Sequence, residues 1–237
     1  YYDGIKYAYG FSFDREQIIK EYLYHWPNGR EALVFSREKD RYEFRESIQE
    51  QLTLARRTPE NRLYLTSSNE WNCVQTEKAY LWFQQKLCGL TGIGISNEAT
   101  IQALQKNGEG KQRILKEMLL ADLGICDVVL SGTKEKPIIS TVHQIIADNG
   151  SKKEYRLLLG QESAGTQRFF ARIGLWMDAM KRGAVLVVDE IEASMHPLLT
   201  RHLIEMMQNQ TINQNHAQLV FTCLLYTSPS PRDKRQS

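Results

Sequence analysis

The sequence predicts an α/β fold in which a short buried strand carries acidic residues at its carboxyl end. The run Ala184–Val188 is apolar and rich in β-branched residues, with Gly183 before it and two carboxylates after it. Such a run is typical of a strand buried on both faces. A helical pattern over residues 167–181 precedes it, and a helix beginning at Pro197 and an apolar run at 217–222 follow it. This alternation of helix and strand is typical of a parallel sheet.

Composition and patterning argue against a membrane-spanning protein, a secreted protein and a cysteine-based metal site. The 237 residues are 42% apolar and 24% charged, which suits one or two well-filled cores. No apolar run approaches the ~20 residues that a membrane span needs, and the chain does not open with a charged and then apolar leader. The four cysteines lack metal-binding spacing and are expected to be reduced thiols. We therefore expect a cytoplasmic protein without a membrane partner.

The charge balance gives no argument for nucleic-acid binding. The formal net charge is +2, and the last fifteen residues hold Arg232, Lys234 and Arg235 against Asp233. The first 222 residues therefore carry 27 basic and 27 acidic side chains. A nucleic-acid-binding domain usually has an excess of basic residues. DNA is therefore a possible partner, but net charge does not support it.

The first 45 residues are predicted to form an antiparallel β arm with one inserted helix. Ile5–Phe13 alternates as a strand does, and Asp14 is expected to cap a helix over residues 15–24. Residues 32–37 and 41–44 are expected to pair as a hairpin.

Residues 46–132 have a mostly helical pattern, and strands return after residue 133. The expected helices cover residues 47–57, 76–90, 98–106 and 112–123. Two further strands, 138–147 and 153–159, are separated by Asp148-Asn149-Gly150, which is a strong hairpin signal. We therefore expect a helical insertion followed by the α/β part of the chain.

Asp189 and Glu190 follow the buried strand directly. Ligands of open α/β sheets bind just outside the carboxyl ends of the strands, and an Asp-Glu pair there is the Walker B arrangement of a nucleotide hydrolase. Asp189 would hold Mg²⁺, and Glu190 would orient the attacking water. The alternative is a buried strand whose loop happens to be acidic.

Ser163 lies 26 residues before Asp189, at the expected start of the preceding helix. The N-terminus of a helix offers free backbone N–H groups and the positive end of the helix dipole, which both suit a phosphate. Gly165 would let the backbone approach closely, and the Ser163 hydroxyl could donate to a γ-phosphate oxygen. The alternative is a plain serine N-cap.

These segments resemble known ATPase families. Ser163–Thr166 resembles the signature loop of ABC-type ATPases, and Val185–Glu190 resembles their Walker B strand. Ile191–Pro197 resembles the D-loop of the RecF, SMC and OLD-like ATPases, which ends in His-Pro. Residues 162–168 together with 189–199 are closer still to the bacterial ABC-type AAA family ATP-binding proteins linked to abortive infection and anti-phage defence.

The resemblance covers most of residues 1–222 and implies part of a P-loop NTPase, namely an ABC-type ATPase head. Such heads form homodimers with composite sites, in which the signature loop of one subunit closes over ATP held by the other. Asp189 would be the Mg²⁺ ligand and Glu190 the catalytic base. The residues that the resemblance assigns to ATP binding and to coupling of the two sites are Ser163, Ala164, Gly165, Thr166, Ser194 and His196. His196 is equally well explained as a helix-start residue before Pro197.

The same resemblance divides the chain. Residues 1–45 would be the antiparallel β arm of the head, 46–132 a helical insertion, and 133–222 the signature and Walker B half. Residues 223–237 resemble an in-frame translation of a sequencing-library adapter, with a native Ser/Pro-rich tail as the alternative. We attach no function to this tail.

Two parts of the family pattern are absent from the sequence. It contains no Gly-x-x-x-x-Gly-Lys-Ser/Thr segment to cradle phosphates, and no switch histidine follows Thr222. We expect both to belong to a longer protein, so that the 237 residues alone neither bind ATP tightly nor hydrolyse it. The complete protein is predicted to hydrolyse ATP and to act on a partner or effector in anti-phage defence. The alternatives are a RecF-like or SMC-like DNA-maintenance ATPase and a degenerate scaffold module.

Overall fold

The chain folds into two compact units, Tyr1–Lys86 and Leu87–Ser237. The computed structural model describes residues 1–90, 96–106, 108–121, 124–133, 135–146, 150, 152–193 and 195–223. Each unit has its own hydrophobic core. The boundary between the units lies inside the segment 46–132 that the sequence assigns to one helical insertion.

The first unit is a four-stranded antiparallel sheet packed with helices. Its strands are β1 (Lys6–Phe13), β2 (Ile18–Trp26), β3 (Ala32–Glu38) and β4 (Arg41–Phe44), paired in that order. Its helices are α1 (Ile48–Arg57), α2 (Tyr64–Glu70) and α3 (Val74–Lys86). The core is centred on the fully buried ring of Tyr64, which lies 4.8 Å from the ring of Phe35 and 5.4 Å from that of Phe44.

The predicted helix over residues 15–24 is wrong, because this segment is mostly the strand β2. Asp14 accepts hydrogen bonds from the backbone N–H groups of Glu16 and Gln17, both at 2.8 Å, and so closes a turn rather than starting a helix. From Lys20 to Leu23 exposed and buried side chains alternate, as they do in a strand. Pairing with β1 and β3 satisfies the backbone of β2 on both sides, and this non-local pairing outweighs the local helical pattern.

The second unit contains two separate sheets. β5 (Leu87–Leu90), β9 (Val185–Val188) and β10 (Gln218–Phe221) form a parallel sheet in the order β10-β9-β5. β6 (Ile125–Gly132), β7 (Pro137–Ile146) and β8 (Lys152–Leu158) form an antiparallel sheet in sequence order. The helices of this unit are α4 (Glu98–Gln105), α5 (Glu109–Leu120), α6 (Ala164–Arg182) and α7 (Pro197–Gln208).

The core of the second unit is built around α6. Phe169, Phe170, Ile173 and Trp176 of this helix are fully buried and belong to the same cluster as Leu186 of β9. Although α6 spans 19 residues, it also carries several charged side chains. Within the described ranges, none of the helices combines the length and the apolar character that crossing a bilayer requires.

The structure confirms the elements that flank the acidic pair and many of those upstream, and it corrects others. β9, β10, α7 and the antiparallel pairing of β7 with β8 are as predicted, while Asp148 and Asn149 of the predicted turn lie outside the described residues. The predicted helix over 76–90 is wrong at its end, because it stops at Lys86 and Leu87–Leu90 pairs with β9. The prediction that 46–132 is mostly helical misses β5 and β6, whose pairing partners lie far along the chain.

Candidate functional site

The carboxyl ends of β9 and β10 meet at one edge of the parallel sheet. Val188 is aligned with Phe221, so the residues that follow them, Asp189 and Thr222, are neighbours, and both are exposed. Leu186 and Val188 are buried, whereas Val187 on the opposite face is 40% exposed. The expectation that this strand is buried on both faces is therefore wrong, but the acids do lie at its carboxyl end.

The hydroxyl of Thr222 ties the acidic turn together. It donates to Oδ1 of Asp189 at 2.5 Å and accepts the backbone N–H of Glu190 at 2.8 Å. The backbone carbonyl of Thr222 also accepts the N–H of Ile191 at 3.1 Å. Glu190 has φ of 50°, in the left-handed region that glutamate seldom adopts. These bonds hold Glu190 in a backbone conformation that it would not favour by itself.

Sequence reasoning missed Thr222 as a site residue. The only available signal was its position at the end of the predicted strand 217–222, the next strand after the Walker B-like strand in the sequence. The register of two parallel strands, which brings Thr222 level with Asp189, is known only from the structure.

We expect the Thr222→Val variant to be less stable by about 0.5–1.5 kcal/mol, the usual net value of a hydrogen bond. The substitution keeps the shape of the side chain but removes the acceptor for the Glu190 N–H and the donor to Asp189. The loss stays small because both groups are exposed and water can replace the hydroxyl. Urea unfolding measures it, and Thr222→Ser, which keeps the hydroxyl, is the control. Equal midpoints for the two variants would show that the bridge contributes nothing.

Ser163 is the N-cap of α6, as the plain capping interpretation predicts. Its Oγ accepts the backbone N–H of Thr166 at 3.1 Å and lies 2.8 Å from the Thr166 hydroxyl. Ser163 and Ala164 are exposed, whereas Thr166 is buried and supports the cap. Since a hydroxyl has one donor and two acceptor positions, capping does not use the full capacity of Ser163. The contact of this loop with a phosphate stays a prediction.

Glu162, the residue before this cap, is bonded through its side chain to the antiparallel sheet. Its Oε1 accepts the Thr141 hydroxyl at 2.5 Å and lies 2.6 Å from Nε2 of His143, both on β7. The His143 ring is stacked on Tyr155 of β8 at 5.0 Å. The side-chain amide of Gln167 donates to the backbone carbonyl of Glu162 at 2.8 Å. The start of α6 is therefore fixed from both sides, by distant residues of β7 and by Gln167 in the first turn of the helix itself.

The start of α7 lies beside the start of α6. His196 is the N-cap of α7, with its Nδ1 3.3 Å from the backbone N of Leu198, and Pro197 occupies the first turn. A Cβ atom added to Gly165 would lie 3.8 Å from the backbone N of His196 and 3.7 Å from Cδ1 of Leu199. The structure thus brings Gly165 and His196 together, while Ser194 lies outside the described residues.

The oxygen atoms at the acidic turn suit a Mg²⁺ ion that also binds a phosphate, and they are too few for a site made of protein ligands alone. Magnesium keeps several waters and is usually bound by one or two carboxylates together with substrate phosphates. Asp189 and Glu190 supply two exposed carboxylates, with the Thr222 hydroxyl beside them. In the described part of the chain, three or more His, Cys, Asp or Glu side chains nowhere form a metal-binding group. The residues present therefore suit a magnesium ion that arrives with a phosphate ligand.

The parallel sheet with an Asp-Glu pair at the carboxyl end of β9 is compatible with an α/β nucleotide-binding domain. The sequence profile of a family described as "AAA domain, putative AbiEii toxin, Type IV TA system" matches residues 1–222, and the chain belongs to this family. Membership places the chain among the P-loop AAA ATPase domains, a class that generally hydrolyses nucleotides. A comparison with curated proteins finds no match.

Proposed function

We propose that this chain forms the signature and Walker B half of an ABC-type ATPase head that binds and hydrolyses ATP with Mg²⁺. The observation that carries the proposal is the acidic turn after β9. Asp189 and Glu190 are exposed at the carboxyl end of a parallel strand, and Thr222 fixes both of them.

In this proposal the two carboxylates have different roles. Asp189 orients the magnesium ion, which supplies charge neutralisation at the phosphates when bound. Glu190 accepts a proton from the attacking water and orients it. The hydrogen bond from Thr222 occupies one oxygen of Asp189 and leaves the second oxygen available. Because the backbone of Glu190, not its carboxylate, bonds to Thr222, its side chain is left for water.

The start of α6 would contact the γ-phosphate of an ATP molecule held by a second copy of the chain. Ser163, Ala164 and Gly165 lie at or just after the N-cap of a 19-residue helix, where the helix dipole favours a phosphate. Thr166 would act indirectly by holding Ser163. The adjoining loop, with Ser194 and His196, would then transmit contact between the two sites. The complete protein is thus proposed to be a homodimer whose ATP sites lie between subunits.

We propose that hydrolysis switches a partner or effector protein in abortive infection, inside the cytoplasm. The family description, which names an AbiEii-type toxin and a toxin–antitoxin system, favours this role. A RecF-like or SMC-like role in DNA maintenance is the second candidate, and it rests on the His-Pro sequence at the end of the loop after Glu190. A catalytically degenerate scaffold is the third, although the paired acids favour an active enzyme.

The test is ATP hydrolysis by the complete protein that contains this chain. We expect phosphate release that requires Mg²⁺ and stops when the metal is chelated, together with a shift from monomer to dimer when ATP is added. Adding DNA should not change the rate, because net charge gives no sign of a DNA site. Hydrolysis without a divalent cation would contradict the role of Asp189, and stimulation by DNA would favour the second candidate. No hydrolysis and no nucleotide binding would favour the scaffold.

A further inference from the structure

Arg172 lies in the middle of α6, nine residues after Ser163, and is completely buried. Its neighbours along the helix include Phe169 and Trp176, which belong to the apolar core of the second unit. Burying a guanidinium group is costly, because an arginine carries five N–H donors and a permanent charge. A well-packed apolar side chain could fill the same space without that cost. The position therefore needs an explanation other than packing.

The guanidinium group reaches the loop that follows the acidic pair. Nη1 donates to the backbone carbonyl oxygen of Ile191 and lies 3.6 Å from the sulfur of Met195. Within the described residues, Nε and Nη2 have no hydrogen-bond partner. These contacts of Arg172 lie in the loop that starts immediately after Glu190, at Ile191 and Met195.

Charges around Arg172 come from α6 and from the same loop. Burial lowers the pKa of Arg172, and the positive charge of Arg168 on the preceding turn of α6 lowers it further. Glu192 of the loop acts in the opposite direction and raises the pKa. The carboxylate of Glu192 therefore favours the charged form of Arg172, so the loop offers both a carbonyl and a negative charge to the guanidinium.

Burial and short hydrogen bonds also hold this loop, because the side chains of Ile191 and Met195 belong to the apolar core of the second unit. Two short turn bonds lie within it, from the N–H of Ala193 to the carbonyl of Glu190 and from the N–H of Met195 to the carbonyl of Glu192, both at 2.9 Å. The bond between the N–H of Ile191 and Thr222 ties only its first residue to the sheet. The hydrogen bond from Arg172 adds a polar contact between α6 and the carbonyl of Ile191, at the start of the loop.

We propose that Arg172 is a positioning residue that holds the loop after Glu190 against α6, through Ile191 and Met195, and thereby couples the start of this helix to the acidic turn. The coupling part of the proposal rests on the proposed function, whereas the holding part does not. Arg172 is on the same rigid helix as Ser163, and the loop begins one residue after the proposed base. A displacement of α6 would therefore be transmitted to the backbone beside Glu190 through one buried hydrogen bond.

Hydrogen–deuterium exchange of the loop amides tests the holding part without any enzymatic activity. In Arg172→Met, the amides of Ala193 and Met195 should exchange about tenfold faster or more, as expected when a hydrogen bond to a charged group is lost. Amides in the interior of α7 should exchange at the wild-type rate. Arg172→Lys, with one compact donor group, should give a smaller increase. The control is Arg201→Gln, which removes a solvent-exposed arginine from α7.

Unchanged loop exchange in a folded Arg172→Met variant would overturn the proposal. If that variant does not fold, Arg172→Lys decides, and unchanged loop exchange in it would have the same meaning.

In the complete protein, Arg172→Met should lower kcat at least tenfold with little change in KM, and Arg172→Lys should recover part of kcat. If the wild-type protein does not hydrolyse ATP while the exchange result holds, the proposed function fails and the positioning role stands. If kcat falls but loop exchange is unchanged, the positioning role fails and the proposed function stands.

Discussion

The Glu190→Gln form of the complete protein is expected to bind ATP and to fail to hydrolyse it. A glutamine has nearly the same shape as glutamate but cannot accept the proton of the attacking water, and removal of a general base lowers rates by about 10² to 10⁴. The local fold should persist, because Thr222 bonds the backbone N–H of Glu190 and not its side chain. Steady-state phosphate release measures turnover, and nucleotide retained after gel filtration measures trapping.

Glu205→Gln is the matched control for this substitution. Glu205 is an exposed residue of α7 that pairs with Arg201 one turn away at 2.7 Å and has no proposed part in hydrolysis. Its loss should leave turnover within error of the wild type, since exposed ion pairs of this kind contribute little. Turnover that survives in Glu190→Gln would rule out Glu190 as the base. Asp189→Asn should instead weaken the response to Mg²⁺, which separates the roles of the two acids.

The Glu21→Gln variant is expected to lose about 1–3 kcal/mol of stability in the first unit, the usual cost of leaving a buried hydrogen-bond donor without its acceptor. Glu21 and Arg37 are both buried, with 3.8 Å between their charged groups. One carboxylate oxygen accepts the N–H of Tyr64 at 2.6 Å, and the other accepts the N–H of Leu65 at 2.9 Å and the hydroxyl of Tyr9 at 3.0 Å. A glutamine places an N–H₂ group against one of these donors and leaves Arg37 without its carboxylate.

Glu38→Gln provides the comparison on the same sheet. Glu38 pairs with Lys20 at 3.5 Å, and both side chains are largely exposed, so the loss should be at most about 1 kcal/mol. Hydrogen exchange of peptides from β2 and α2 reports the first unit separately, and urea unfolding reports the whole chain. Equal losses for the two variants would mean that the buried pair has no special role in holding α2 to the sheet.

Glu21 also gives the first unit a pH dependence with a definite sign. Burial raises the pKa of Glu21 above its ordinary value of 4.5, outweighing the backbone N–H donors, Tyr9 and Arg37, which lower it. The folded state therefore holds this proton to higher pH than the unfolded state does. The contribution of Glu21 to stability is largest below pH 4.5 and is lost as pH rises through the raised pKa. Glu21→Gln should remove this part of the pH profile, and a profile identical to the wild type would contradict the assignment.

The sequence by itself determined the elements closest to the candidate site. The run Ala184–Val188 is a strand because it is apolar, β-branched and ended by charged residues, and α7 starts at Pro197 because proline fits the first turn of a helix. Ser163 lies at the start of α6 for a similar local reason, since its hydroxyl caps the first turn. These features depend on a few neighbouring residues, so a single sequence is enough to predict them. The roles of these residues in catalysis stay predictions.

Only the tertiary structure decided which distant residues meet. Residues 15–24 have apolar side chains at helical spacing, yet most of them form a strand because β1 and β3 flank them. Leu87–Leu90 leaves the expected helix because β9 offers it a partner almost a hundred residues later in the chain. Thr222, Arg172 and Glu162 became site residues through strand register and helix packing. Such contacts are set by burial and backbone pairing across the whole unit, and no local pattern records them.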